Sequence, residues 1–542
     1  MRRIIALLGF LALSGNAWAQ YPSPTYQGLT VLGAATTSSI TGDASATTAT
    51  PTGAPYALTM AKRFAEVVNV RDWGAVCDGA VHTLASAYPG LSLAQIQAIY
   101  PSAGVTSTSQ KVDWAAIQQA IFVAGKAVYS PAGTCLLEKQ GIAGLSSTGI
   151  YGDGIGLSVW KMDAGGSAPT VRWGARSGFW FRDITIDATN NGSNAALSVQ
   201  SATNWDLLDF EITNMQTYGV SFSNSSKGRI FRPRITKNTP ASTLNFAITG
   251  SPAAGPNSDV TIEDVDLNGS NINIDGLDIT VRGGTIQNWL YGAGVTTAQD
   301  TGNSGRYLIS NILCKNSGSG TDANGFRPGC VENWGPYSVI TGLRCFNLSG
   351  DCVGNGGQYS VISSNIGIDL NQSAGPTGAC FDGRYYTSTY NGSFSTFTGN
   401  TCTNSAGTSG PIIYGYTDQA GIVRVGLAGN QFHNVKTAPV VVSGTQYSFV
   451  GDTLSNTASW TPGLIAAGAT TAIQTMTITG ARLGDTVDIA LSPNSQGVTP
   501  IGLVSANNTV SYWAINPTTG GVTLAALTVT ATVSKTINSA DY

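Results

Sequence analysis

The chain has 542 residues, with charged residues at only 11%, 67 glycines and a net charge of −3. That balance excludes a basic nucleic-acid footprint and gives no electrostatic reason to sit on an acidic membrane. With so few charges, the outer surface must be built largely from Ser, Thr, Asn and Gly.

The N-terminus has the pattern of a secretory signal over residues 1–19. Arg2 and Arg3 supply the positive region, Ile4 to Leu13 the apolar run, and Ala17-Trp18-Ala19 a small-x-small site before Gln20. The apolar run is too short to span ~30 Å of hydrocarbon, and no later segment reads as membrane-spanning. The expectation is a secreted protein, extracellular or periplasmic, with no membrane insertion after signal removal. Residues 20–60 are rich in Ala, Thr, Ser, Gly and Pro and read as a low-complexity leader.

The folded part begins in Phe64 to Ala75 and opens a domain expected to cover 61–455. A polar, Ser-rich insertion reaches Gln110. Asp113 then stands where it would N-cap a helix carrying Trp114, Ile117, Ala120, Ile121 and Ala124, with Gly125 near its end. That apolar stripe would cover the open first coil of a stack.

From about residue 180 short apolar windows recur: Phe181-Arg-Asp-Ile-Thr-Ile186, Leu207-Leu-Asp-Phe-Glu-Ile212, Ile262-Glu-Asp-Val-Asp-Leu267, Ile309-Ser-Asn-Ile-Leu-Cys314, Ile340-Thr-Gly-Leu-Arg-Cys345, Phe397-Thr-Gly-Asn-Thr-Cys402 and Leu427-Ala-Gly-Asn-Gln-Phe432. Each is read as one strand of a unit of about 20 to 35 residues. No such unit buries its apolar face alone, so the units stack into parallel sheets whose outer faces suit a long polymer. Asp183, Asp209 and Asp264 share a column and read as solvated turn or face residues. Asn365, Asn400 and Asn430 read as an internal ladder bonding coil to coil.

The eight cysteines are an even count in a chain expected to be exported. Cys314, Cys345 and Cys402 share one column, and Cys330, Cys352 and Cys380 a second. Two readings stay open: disulfides between adjacent coils, such as Cys314 with Cys345 or Cys330 with Cys352, or a ladder of buried thiols. After residue 455 the texture changes to alternating runs at Thr475 to Thr479, Thr486 to Leu491 and Leu527 to Val533. This predicts a small β-sandwich-like domain over 456–542.

Asn69-Val-Arg-Asp-Trp-Gly-Ala-Val-Cys-Asp-Gly79 resembles the N-V-K-D-F-G-A-x-G-D-G entry motif of the pectate-lyase-like, right-handed parallel β-helix superfamily. Asp113-Trp-Ala-Ala-Ile-Gln-Gln-Ala-Ile121 is similar to its D-T-A-A-I-Q-x-A-I helix, and Val128-Tyr-Ser-Pro-Ala-Gly-Thr134 to its V-Y-x-P-x-G-T strand and turn. Cys77 departs from the usual Gly. The resemblance implies an all-β solenoid with an N-terminal capping helix. It does not fix a reaction, because the superfamily holds polygalacturonases, lyases, epimerases and phage tailspikes. The leader and C-terminal domain resemble parts of phage tail proteins, which implies a homotrimer.

The polygalacturonase residue set is absent, and the only histidines, His82 and His433, stand in unrelated settings. No zinc-ligand spacing appears. One constellation stands out. Glu332 and Asp382 fall in one column with Gly354 between them, two coil steps or about 9 to 10 Å apart. That is near the upper end of the carboxyl spacing of inverting glycosidases, about 6.5 to 9.5 Å. Asp351 would complete an acidic group, and Gly354 would leave room for a sugar ring. Trp334, Tyr337, Tyr385 and Tyr386 are candidates to stack on sugar, and Arg384 to hold a uronate carboxylate or act as a lyase base. Asp300 and Asp322 are the next candidates. The expected partner is a polysaccharide, cleaved hydrolytically without cofactor, or by β-elimination with calcium. The rival is a glycan-binding surface protein that cleaves nothing.

Overall fold

The computed structural model describes residues 48–49, 58–59 and 67–534, with breaks that include 238–244, 298–303, 321–326, 371–378, 386–390 and 442–447. The expected signal, nearly all of the leader, Asp300, Asp322 and Tyr386 lie outside the described residues. Thr48–Ala49 and Leu58–Thr59 pair antiparallel in a unit spanning Met1–Ala65, and Glu66–Tyr542 forms the other unit. No helix among the described residues is long and apolar enough to cross a membrane.

The larger unit is a stack of three-stranded coils. Ala195–Gln200, Thr203–Leu208 and Glu211–Thr213 make one coil; Tyr218–Ser223, Ser226–Phe231 and Arg234–Thr236 make the next. Each strand pairs in parallel with its counterpart, so Leu197 meets Val220, Leu207 meets Ile230 and Ile212 meets Ile235. The first face is a sheet of 12 strands. The second and third merge because Ser258–Asn268 and Thr280–Gln287 run through the corner unbroken. Inside the first sheet a column runs Val171, Leu197, Val220, Ile248, Ile272, Val295, Val331, Val353, Phe381, Tyr416 and Val440, all buried. β-branched residues fit such a pleated, doubly covered position.

The windows are corners between two faces, which corrects the reading of one strand per window. Their third residue is left-handed in every case: Asp183 at φ 58°, Asp209 at 46°, Asp264 at 52°, Asn311 at 57°, Gly342 at 68°, Gly399 at 63° and Gly429 at 64°. Asp, Asn and Gly are the residues that enter this region at least cost. The left-handed residue shifts the alternation by one place. Positions one, four and six therefore point inward, as with the buried Phe181, Ile184 and Ile186. The aspartate column is thus the corner itself. In later coils position four is asparagine: Asn365 Nδ2 donates to Asn400 Oδ1 at 3.0 Å, and Asn400 Nδ2 to Asn430 Oδ1 at 2.9 Å. This is the expected ladder. A second, not foreseen, joins Thr297, Asn333 and Asn355 at the end of the first sheet.

All eight cysteines are paired, as Cys77–Cys135, Cys314–Cys330, Cys345–Cys352 and Cys380–Cys402. Cys77–Cys135 joins two successive coils, beside the parallel bridge Asp78–Thr134, but the expected pairs within one column, Cys314 with Cys345 and Cys330 with Cys352, are not formed, and there is no thiol ladder. Residues stacked in one column, such as Cys314 and Cys345, send their Cβ vectors the same way. Residues across the corner between third and first sheets face each other, with Cα atoms 5.6 Å apart for Cys314–Cys330 and 5.5 Å for Cys345–Cys352. Gly367 then takes the next place in the third-sheet column, and Cys380 bonds Cys402 one coil further on.

The capping helix spans Val112–Ala124. Asp113 is not its N-cap. The carboxylate instead accepts from the backbone of Val76, Cys77 and Leu136, tying the entry motif to the first coil. The insertion holds two short helices, Leu84–Ala87 and Leu93–Ile99, the latter opened by a Ser92/Gln95 capping box. At the far end Thr453–Trp460 begins on the stack and continues antiparallel to Leu527–Ser534. A three-stranded sheet of Gln474–Thr477, Thr509–Ile515 and Thr499–Ala506 packs there, with Trp460 edge-on to Tyr512 at 5.5 Å.

Non-reducing peptide mapping should recover these four cysteine pairs, and a Cys314–Cys345 peptide would contradict the corner geometry. Asn400→Ala should cost about 1–3 kcal/mol by stranding its buried ladder partners. The measurement is the denaturation midpoint; an unchanged midpoint would show that the ladder contributes nothing.

Candidate functional site

The outward-facing residues of the first sheet form one column across ten coils. It runs Arg172, Ser198, Ser221, Thr249, Asn273, Thr296, Glu332, Gly354, Asp382 and Thr417. Small hydroxyl and amide groups line its first half, a feature the sequence reading missed. The acids follow. Glu332 and Asp382 do flank Gly354, because parallel register places each coil's residue over the last. Asp351 approaches from the turn before Cys352, so the expected acidic group is assembled.

Its centre is Arg384. The guanidinium donates to Glu332 Oε1 at 2.5 Å from Nη1, to Asp351 Oδ2 at 2.8 Å from Nη2, and to Asp382 Oδ2 at 3.3 Å from Nε. All four residues are buried, Arg384 to 3% exposure. The expectation that Gly354 leaves room for sugar is corrected here. A Cβ at Gly354 would lie 2.3 Å from Arg384 Nε, so the glycine makes room for the guanidinium. Burial opposes the Arg384 charge, but Asp351, Glu332 and Asp382 outweigh it and raise its pKa. A permanently charged arginine is the reverse of a lyase base.

One cation cannot balance three buried carboxylates. Asp382, on the longest of the three contacts, takes up the difference. Burial, then the Asp351 charge, raise its pKa well above the ordinary 3.8, against the pull of Arg384. Asp418, one coil further on and in register with Gly383, adds to the shift. Asp418 was not foreseen, though the alignment of Phe381 with Tyr416 carried the signal. The site thus holds one carboxyl whose proton affinity is raised by burial and by Asp351, beside two further arginine-paired carboxylates.

The aromatic candidates divide. Trp334 is buried at 5% exposure, flat over Gly356, and its backbone N–H donates to Thr297 Oγ1. No sugar reaches that face. Tyr337 is 59% exposed but lies face to face with Tyr359 at 5.1 Å, which stacks on Phe394 at 4.9 Å. These rings follow one another on left-handed corner residues and give each other their faces. Tyr385 is exposed at the rim, its backbone N–H on Gln419 Oε1. His82 pairs with Asp78 near the cap, and His433 lies exposed on the third sheet, both away from the acids.

Calcium takes carboxylate oxygens in numbers. The three acids here carry a guanidinium in their midst, so this donor set does not fit that ion. No group of three or more His, Cys, Asp or Glu among the described residues has metal-holding geometry.

Neither a family model nor a curated protein matches the chain. Solved structures do. The catalytic unit of an alpha-1,3-glucanase from Streptomyces thermodiastaticus superposes with a TM-score of 0.50 at 12% identity, over 71% of this chain and 68% of that one. The A-module of a mannuronan C-5 epimerase from Azotobacter vinelandii gives 0.48 at 17% identity, over 70% and 99%. The tailspike of Pseudomonas phage phi297 gives 0.43 at 13% identity, over 88% and 100%. At these identities the likeness is one of fold. Coil register, corner chemistry and the likeness in fold to the glucanase unit together make the chain a right-handed parallel β-helix protein.

Proposed function

We propose that this chain is an exported polysaccharide-acting protein that takes a glycan along the first sheet and hydrolyses it at Glu332 and Asp382. The observation that carries the reading is the outward column, in which a run of hydroxyl and amide side chains leads to two buried carboxyls two coils apart, of which Asp382 has its pKa raised well above the ordinary range. Asp382 would give its proton to the glycosidic oxygen as the bond to the anomeric carbon breaks. Glu332 would take the proton of the attacking water. Both carboxylate oxygens contact one planar guanidinium, which keeps them within about 8 Å of each other. That bound admits both the retaining spacing of about 5–5.5 Å and the inverting spacing of about 6.5–9.5 Å, and the two-coil offset of the backbones, about 9 to 10 Å, favours inversion. Substrate would have to move Arg384 off Gly354. The resemblance to tail proteins makes a homotrimer our expectation for the assembled form.

A second reading, binding without cleavage, is favoured by Arg384 itself. A fully paired, buried ion cluster is also what a purely structural network looks like. Elimination is disfavoured by the charged state of Arg384.

Product analysis on a polysaccharide panel separates the three. New reducing ends alone mean hydrolysis, an unsaturated uronate means elimination, and retention without products means binding. Where hydrolysis is found, Glu332→Gln and Asp382→Asn should each lower kcat by about 10²–10⁴ with folding retained. Near-normal turnover in both would remove the pair from the mechanism.

A pH test addresses the proton directly. Between 3.8 and the raised folded pKa, the folded chain keeps on Asp382 a proton that the unfolded chain has released. Stability therefore falls as pH rises through that window. Asp382→Asn removes this component, so its denaturation midpoints, taken at a series of pH values, should decline less steeply than those of the wild type. Parallel profiles would show that Asp382 is ionised in the fold.

A further inference from the structure

Near the capped end, the outer face of the second sheet carries a different surface. One column there runs Tyr129, Tyr151, Arg182, Leu208 and Phe231. Beside it run Gly149, Trp180, Asp206 and Arg229. Trp180 pairs with Gly149, and a Cβ there would fall 2.0 Å from the indole. The glycine is therefore what lets the indole lie flat on the strand beneath it. Tyr151 is 5.9 Å from Trp180 and Tyr129 is 5.3 Å from Tyr151, tilted by 35° and 34°. These rings lean along the sheet rather than stacking, and all three are partly exposed. The Arg182 guanidinium lies 5.1 Å from the Trp180 ring and 5.7 Å from that of Tyr151. Its one carboxylate partner, Asp183, is 3.5 Å away with both groups open to solvent, a pairing worth little. Arg229 lies 4.9 Å from the Phe231 ring, which Arg232 also approaches, at 4.7 Å.

We propose that this face is a second glycan-binding surface, separate from the acid cluster, that takes an acidic polysaccharide lying along the helix axis. Flat aromatic rings offer their faces to the C–H side of pyranose rings. Coils about 4.8 Å apart repeat at nearly the spacing of sugars in an extended chain. Arg182 and Arg229 supply the charge that a uronate carboxylate needs, with Asp206 between them to accept from hydroxyls. Nothing here requires cleavage, so the surface serves either reading of the acid cluster.

The test is affinity electrophoresis of the full chain in gels containing sodium polygalacturonate, with neutral dextran as the comparison. Wild type should be retarded by polygalacturonate and less by dextran. Trp180→Ala should bind about tenfold more weakly. Arg182→Gln should lose much of the preference for polygalacturonate over dextran. Trp180→Phe, which keeps a flat ring, should retain most of the binding and controls for folding. Equal retardation of Trp180→Ala and wild type, or no retardation of wild type, overturns the proposal. So does a change of oligomeric state in Trp180→Ala with binding intact, which would give the face to self-association. Failure of Glu332→Gln to affect turnover would count against the hydrolytic site and leave this one standing.

Discussion

Parallel register between successive coils is the constraint on which the rest depends. A single coil exposes its apolar interior at both ends, so each is stable only against its neighbours. Stacking forces equivalent residues into columns, and a column has one environment from end to end. An inward column must be apolar throughout, as from Val171 to Val440, or must satisfy its polar groups within itself, as Asn365, Asn400 and Asn430 do. A corner column must accept left-handed backbone, hence the run of Asp, Asn and Gly. The two ends are the exceptions. The Val112–Ala124 helix covers one, held by Asp113, and Thr453–Trp460 leads into the terminal sheets at the other.

The same constraint creates the acid site. Register brings Glu332 and Asp382 to one line although 50 positions of sequence separate them. Asp351 joins from a turn, and Arg384 folds back over the one position without a side chain. Buried ions are costly unless paired, and here three carboxylates share the single charge of Arg384. The strain falls on Asp382, where burial and the Asp351 charge together raise the pKa. The perturbed group is thus a consequence of counting charges in a closed space. It would arise in a structural cluster as in a catalytic one, which is why turnover and stability are separate measurements.

Most of the fold was legible because a solenoid writes its register into a repeat. Windows of the type Phe181 to Ile186 repeat in one register, and the same register puts Glu332, Gly354 and Asp382 in one column. The corner within each window was also present, as inward residues at positions one, four and six instead of strict alternation, but it was read as a strand. Disulfide pairing was not legible. Column membership says which residues are neighbours, whereas a bond requires Cβ vectors that converge, and these converge across the corner. Arg384 was placed near the acids but not among them. A long side chain reaches several ångströms from its own column, so its contacts depend on the empty volume at Gly354.

The aromatic residues show the same limit, and its physical cause. Tyr337, Tyr359 and Phe394 succeed one another at a corner, where each ring meets the next ring, and their faces are consumed within the ladder. Trp180 meets a glycine in the next coil and so lies flat with its other face outward. Residue type is nearly the same in the two places. What differs is the residue one coil away, and for a ring on the outer face that decides whether it reinforces the stack or stays available to a ligand. In a repeat fold the candidate binding aromatic is therefore an outward-facing one whose column neighbour is small; Trp334, flat over Gly356 but buried, meets only the second condition.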